Sequence, residues 1–208
     1  NKPEVKQPEV ILPISAHPAF QKAFHYFGIK QKLVKLDADL KADLDHLKSL
    51  LSENTIMLVG SAPSYPHGIM DPIEGIAEIA LERNLLFHVD SCVGGFVLPF
   101  LTRLGYSVPP FDFRVNGVTS MSCDIHKYGY SAKGASVILH RNKAYRKHQF
   151  FVYSDWTGGI YGSPSVAGTR SGGSIAAAWS AIRHKGLEGY TEMTKTKMDI
   201  TNKIKDYV

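Results

Sequence analysis

The sequence predicts an α/β fold, a mainly parallel sheet flanked by helices, and three observations carry that prediction. Short apolar runs of strand length alternate with segments of helical periodicity. The chain has 208 residues, 44% of them hydrophobic, which suits one large domain with a core of its own. Asp90 and the His126-Lys127 pair fall where predicted strands end, and open α/β sheets hold their ligands there because the loops vary while the sheet stays rigid.

Taken in order, residues 10–14 (VILPI) read as a buried strand, and 18–27 as a helix with apolar residues at 19, 20, 23, 24 and 27, closed by Gly28. His17 lies on the turn between them. Residues 32–36 read as a second strand and 43–51 as a helix turning Leu44, Leu47, Leu50 and Leu51 inward. A third strand spans 55–59. At Asp71-Pro72-Ile73-Glu74 the pattern predicts a capped helix start, with Asp71 as cap and Glu74 completing a capping box. Ile73, Ile76, Ala77, Ala80 and Leu81 then share a face. Three further strands are predicted at 85–89, 115–121 and 135–139, the first ending directly at Asp90. Beyond residue 140 come an aromatic run at 149–153, a Gly/Ser-rich loop at 157–173 and an Ala-rich helix at 174–185. A loop that long is more often functional than idle.

Composition narrows the function classes. Lys and Arg number 24 against 19 Asp and Glu, a net charge of +5, but the basic residues are scattered except near Lys195-Lys197 and Lys203-Lys205. Those are expected to form a solvated helix face, with no nucleic-acid partner. Cys92 and Cys123 lie far apart with no CxxC spacing, so neither a disulfide framework nor a metal site is predicted, and the expected setting is reducing, cytoplasmic or cytosol-facing. No apolar run approaches the roughly 20 residues of a spanning helix, and the polar start at 1–4 lacks a signal-peptide layout.

Lys127 follows a strand and adjoins a histidine, in a loop of small and hydrogen-bonding residues. It is either a Schiff-base lysine, its pKa lowered by desolvation and a neighbouring cation, or an ordinary loop lysine. Asp90 ends an apolar run and so needs a cationic partner, unless it is a helix cap. A protonated pyridine nitrogen is such a partner, and pyridoxal phosphate chemistry requires an amine for the aldehyde and an acid for that nitrogen.

Five stretches carry a resemblance: residues 14–17 (ISAH), 61–68 (SAPSYPHG), 88–96 (HVDSCVGGF), 124–130 (DIHKYGY) and 155–161 (DWTGGIY). Together they closely resemble the sphingosine-1-phosphate lyase family, over residues 9–190. The lysine, aspartate and upstream histidine are shared with the wider group II amino-acid decarboxylases and speak for the cofactor. The SAPxxPHG and DSCxGGF segments, and the run from Gln149 through Gly173, are narrower. The resemblance implies an incomplete large cofactor-binding domain of the fold type I (aspartate aminotransferase-like) pyridoxal-phosphate enzymes over residues 1–190. Residues 191–208 would be a helix leading toward a small C-terminal domain.

By position, the resemblance makes Lys127 the Schiff-base lysine, Asp90 the partner of the pyridine nitrogen and His17 the imidazole stacked on the ring. His126 is a contact to the cofactor phosphate or a proton carrier, or else a packing residue. Tyr65, Cys92 and Lys133 fall on the substrate side, Lys133 as a point charge for a phosphate. The implied reaction is retro-aldol cleavage of sphingosine 1-phosphate and related phosphorylated sphingoid bases to a long-chain aldehyde and phosphoethanolamine. The family also implies a homodimer with shared active sites, in which the loop holding Gly168 and Thr169 reaches the neighbour's cofactor phosphate. Relatives carry a phosphate-gripping segment before the part matching Val10 and a small domain after Tyr190. The chain is therefore expected to be one piece of a longer protein and to bind cofactor poorly alone.

Overall fold

The computed structural model describes residues 4–207; the outermost residues of the two predicted ranges, 1–3 and 208, lie outside the described residues. Strands β1 (Glu9–Pro13), β2 (Lys30–Val34), β3 (Thr55–Ser61), β4 (Leu86–Asp90), β5 (Ser120–Asp124) and β6 (Ser136–His140) form one sheet in the order β2-β1-β3-β4-β5-β6. All neighbouring pairs are parallel except β5 with β6. The predicted mainly parallel α/β sheet is therefore present.

Helix α1 (Ala19–Phe27) packs Phe24 and Phe20 against Val10, Leu12 and Val59 on one face of the sheet, and Gly28 closes it in the left-handed region, φ 62°. Helices α2 (Leu44–Ser49) and α3 (Ile73–Glu82) cover the other face. There Leu47, Ile73, Ile76 and Ala77 join Ile11, Leu58, Phe87, Val89, Met121 and Cys123 in the larger core. Asp43 caps α2 by accepting from the Asp45 and His46 amides.

Several expectations shift. Asp71 does not cap α3; its buried carboxylate accepts from the Ser61 amide (2.7 Å) and the Ala42 amide (2.9 Å), tying β3 to the loop before α2. Those amides are buried and need an acceptor, which the carboxylate supplies. Leu81 and Ile14 are more than half exposed, and Ile79 takes the inward place on α3. β2 begins two residues earlier than expected. The strand expected at 115–121 lies at Ser120–Asp124, because Gly117 turns the chain (φ 95°) and the Arg141 guanidinium takes the Val115 and Val118 carbonyls.

Further elements lay hidden. A one-turn 3-10 helix at Gly94–Phe96 and α4 (Leu98–Arg103) follow β4. A Cβ at Gly94 would collide with the Ala62 carbonyl, so glycine lets this turn lie against the end of β3. After α5 (Lys143–Arg146), the expected loop at 157–173 partly forms a hairpin of β7 (Phe151–Trp156) and β8 (Gly159–Ser163). α6 (Gly172–Lys205) is broken at Gly186, φ 56°. Beyond that break Tyr190 is buried against Phe100 and Phe96. Among the described residues no helix is long and apolar enough to cross a membrane.

Candidate active site

The carboxyl ends of β1, β3, β4 and β5 lie at one edge of the sheet and deliver His17, Tyr65, Asp90 and Lys127 respectively. Parallel strands make this convergence automatic, since every βα connection leaves from the same edge. A cavity of about 590 Å³ is lined by His17, Phe20, His88, Asp90, Cys92, Ser122, Asp124 and Lys127 among others, so the amine and the carboxylate share one space.

Asp90 is the last residue of β4 and is buried. Its Oδ1 accepts from the Ser122 hydroxyl (2.8 Å) and the Cys92 amide (3.1 Å). Oδ2 has no partner among the described residues. Lys127 Nζ donates to Asp124 (2.9 Å) and to Cys92 Sγ (3.1 Å). The expectation of a lowered lysine pKa is corrected. Burial does push it down, but Asp124 and Cys92 outweigh burial, and the amine is held above its ordinary value. The neighbour it needed to be a cation is a carboxylate. Burial, reinforced by the Asp90 charge, pushes the Cys92 thiol up to about 11, so it stays protonated.

His17 is exposed, lines the cavity, and accepts the Ala19 amide on Nδ1 (3.2 Å), so it both starts α1 and faces the site. Tyr65 meets the His17 ring edge-on, centroids 6.4 Å apart, and lines a second cavity of about 510 Å³ on the other side of Lys127. Tyr128, Tyr130 and Lys197 line it too, as does Ser64, whose buried hydroxyl has no hydrogen-bond partner among the described residues. His126 lines neither cavity: its Nδ1 bonds the Ala135 carbonyl (2.8 Å), and its Nε2 lies 3.7 Å from the Asp124 carboxylate that also meets Lys127. Lys133, Gly168 and Thr169 are exposed and also line neither.

The loop that presents Lys127 is held from behind. Gly129 lies so close to Ile125 that a Cβ would strike its carbonyl, and the buried Tyr190 hydroxyl donates to the Gly129 carbonyl (2.8 Å). Sequence reasoning missed Asp124, three residues before Lys127, and His88, two before Asp90 on the same strand face. Both spacings are local signals that a strand assignment exposes. It also missed Lys197, expected on a solvated face, whose ammonium instead lies 4.7 Å from the Tyr130 ring centre. Among the described residues no cluster of three or more His, Cys, Asp or Glu side chains is arranged to hold a metal.

Residues 6–208 match the family model described as the pyridoxal-dependent decarboxylase conserved domain. The sphingosine-1-phosphate lyase of Oryza sativa subsp. japonica is 50% identical over 203 residues, 98% of this chain and 38% of that protein. The sphingosine-1-phosphate lyase 1 of Rattus norvegicus is 53% identical over 192 residues, 92% of this chain and 34% of that protein. Among solved structures, the sphingosine-1-phosphate lyase of Burkholderia pseudomallei superposes with a TM-score of 0.90 at 48% identity, covering 92% of this chain and 44% of that one. The chain thus spans well under half the length of these relatives.

Proposed function

The chain belongs to the pyridoxal-dependent decarboxylase family, and from that premise we propose that it forms part of a carbon–carbon lyase. The proposed substrates are sphingosine 1-phosphate and related phosphorylated sphingoid bases. The observation that carries the proposal is the single cavity lined by the Lys127 amine and the Asp90 carboxylate, in a chain about half identical to sphingosine-1-phosphate lyases. The residues present fit the family's cofactor: Oδ2 of Asp90 accepts no hydrogen bond among the described residues, and the cavity that Asp90 lines also receives Lys127 and the His17 ring.

Pyridoxal phosphate, when bound, supplies an aldehyde that condenses with amines and a ring that takes up the electron pair of a bond broken at the substrate Cα. Lys127 is the amine that would hold the aldehyde carbon, and it must first give up a proton. Asp124 and Cys92 flank it and hold that proton on the free amine. Asp90 would keep a proton on the pyridine nitrogen, and His17 would fix the plane of the ring. Which bond breaks depends on which one stands perpendicular to that plane, hence on the grip on the rest of the substrate. Tyr65 is proposed to handle the proton of the substrate 3-hydroxyl, Cys92 to pack beside it, and Lys133 to bind the phosphate as a point charge.

We also propose a homodimer with shared sites. The hairpin of β7 and β8 supports it, since Phe151, Val152, Trp156 and Ile160 are each more than half exposed there and form an apolar surface of the kind that marks an interface. In that dimer Gly168 and Thr169 would serve the partner's site.

The decisive experiment supplies the full-length enzyme with a sphingoid-base phosphate and, separately, with a panel of amino acids. Release of long-chain aldehyde and phosphoethanolamine is expected. Carbon dioxide release from an amino acid, without aldehyde from the lipid, would move the assignment to decarboxylation. Lys127→Ala should remove the visible absorbance band of the bound cofactor, and a retained band would exclude this lysine.

A further inference from the structure

Register places His88 opposite Ser120 and Asp90 opposite Ser122, so four polar side chains share one face of the β4–β5 pair while Phe87, Val89, Met121 and Cys123 fill the core on the other. On that polar face Ser122 Oγ lies 2.8 Å from Asp90 Oδ1 and 3.3 Å from His88 Nε2, and His88 Nδ1 lies 2.9 Å from Ser120 Oγ. The proton positions follow from chemistry. A carboxylate only accepts, so the single Ser122 O–H goes to Asp90, and Ser122 Oγ must accept from His88 Nε2–H. With its hydrogen on Nε2, neutral His88 accepts the Ser120 O–H on Nδ1. Every hydrogen in the chain Ser120, His88, Ser122, Asp90 then points the same way, toward the carboxylate.

We propose that His88 is a positioning residue for Asp90: acting through Ser122, it fixes Oδ1 inside the protein and leaves Oδ2 aimed into the cavity. The inference rests on the reading of Asp90 as the partner of the pyridine nitrogen and adds how that carboxylate is oriented. Burial supports it by pushing His88 down to about 4, helped by His140 across the sheet and opposed by the Asp90 charge, so the imidazole stays neutral at physiological pH. The Phe20 ring packs edge-on against it from α1, centroids 5.9 Å apart. An aspartate held at one oxygen by two donors loses the freedom to rotate, and a fixed acceptor strengthens a charge-assisted bond at the other.

The test uses the full-length holoenzyme. Ser122→Ala, nearly isosteric, and His88→Leu should each raise the pyridoxal phosphate Kd about tenfold and shift the pH midpoint of its visible band. His88→Gln should restore most of both, because a carboxamide can accept from Ser120 and donate to Ser122 at once. The double variant Ser122→Ala/His88→Leu should be no worse than the poorer single one. Ser122→Ala with native Kd and band midpoint would overturn the proposal, as would His88→Gln behaving like His88→Leu. Native enzyme that takes up no cofactor would instead overturn the functional reading itself, so the two failures are distinguishable.

Discussion

Tyr190 is the sharpest place to test how the far helix holds the catalytic loop. Its ring is 3% exposed and stacked on Phe100 at 5.2 Å, and its hydroxyl is the one hydrogen-bond donor found for the buried Gly129 carbonyl among the described residues. Tyr190→Phe keeps the ring and removes only that bond, leaving a buried carbonyl unpaired at a cost of about 1–3 kcal/mol. For a domain of this size that lowers the apparent Tm by about 2–12 °C. Tyr190→Ala also deletes the ring from between Phe96 and Phe100, for a total loss of about 5 kcal/mol. The assay is thermal unfolding by circular dichroism on the full-length protein, paired with the visible cofactor band, because Gly129 lies two residues from Lys127. A Tyr190→Phe protein with native Tm and native band would refute the idea that α6 braces the loop. Equal losses for Phe and Ala would refute the packing part.

Three other outcomes are expected. Asp71→Ala strands the Ser61 and Ala42 amides in the core and should cost about 2–6 kcal/mol, read as a drop in denaturant midpoint; a midpoint within error of native would mean other groups satisfy them. Glu9, paired with Lys32 (2.6 Å) and Lys30 (3.0 Å), is pulled from 4.5 to about 2, chiefly by Lys32 and then Ser52. Because its folded pKa is depressed, its contribution is complete above pH 4.5 and fades as pH falls toward 2, so Glu9→Gln should weaken the protein at pH 6 and match native near pH 2. A pH-independent difference would contradict that. Lys133→Ala should raise KM for the phosphorylated substrate about tenfold with cofactor Kd unchanged, and an unaltered KM would remove Lys133 from the substrate site.

Much of the fold was legible because parallel sheets announce themselves locally. Apolar runs at 10–14, 55–59 and 85–89 lie close to β1, β3 and β4, and a strand ending at Asp90 is visible in the sequence alone. β5 was displaced for an equally physical reason. Its sequence, SMSCD, alternates core-facing Met121 and Cys123 with cavity-facing serines, and the more apolar VNGVT just before it is broken by a glycine turn. The hairpin was hidden because its side chains, all but that of Ser163, are exposed and show no core pattern.

What the sequence determined by itself was chemistry carried in short stretches: an amine one residue after a histidine, an acid at a strand end, and motifs that point to a pyridoxal phosphate family. Only the tertiary structure decided who meets whom. That Lys127 touches Cys92, that Ser122 steers Asp90, that Asp71 serves two distant amides instead of its own helix, and that Tyr190 grips Gly129 all depend on strand order and register. Those contacts join residues from ten to 61 positions apart, and local spacing carries no information about them until the sheet is assembled.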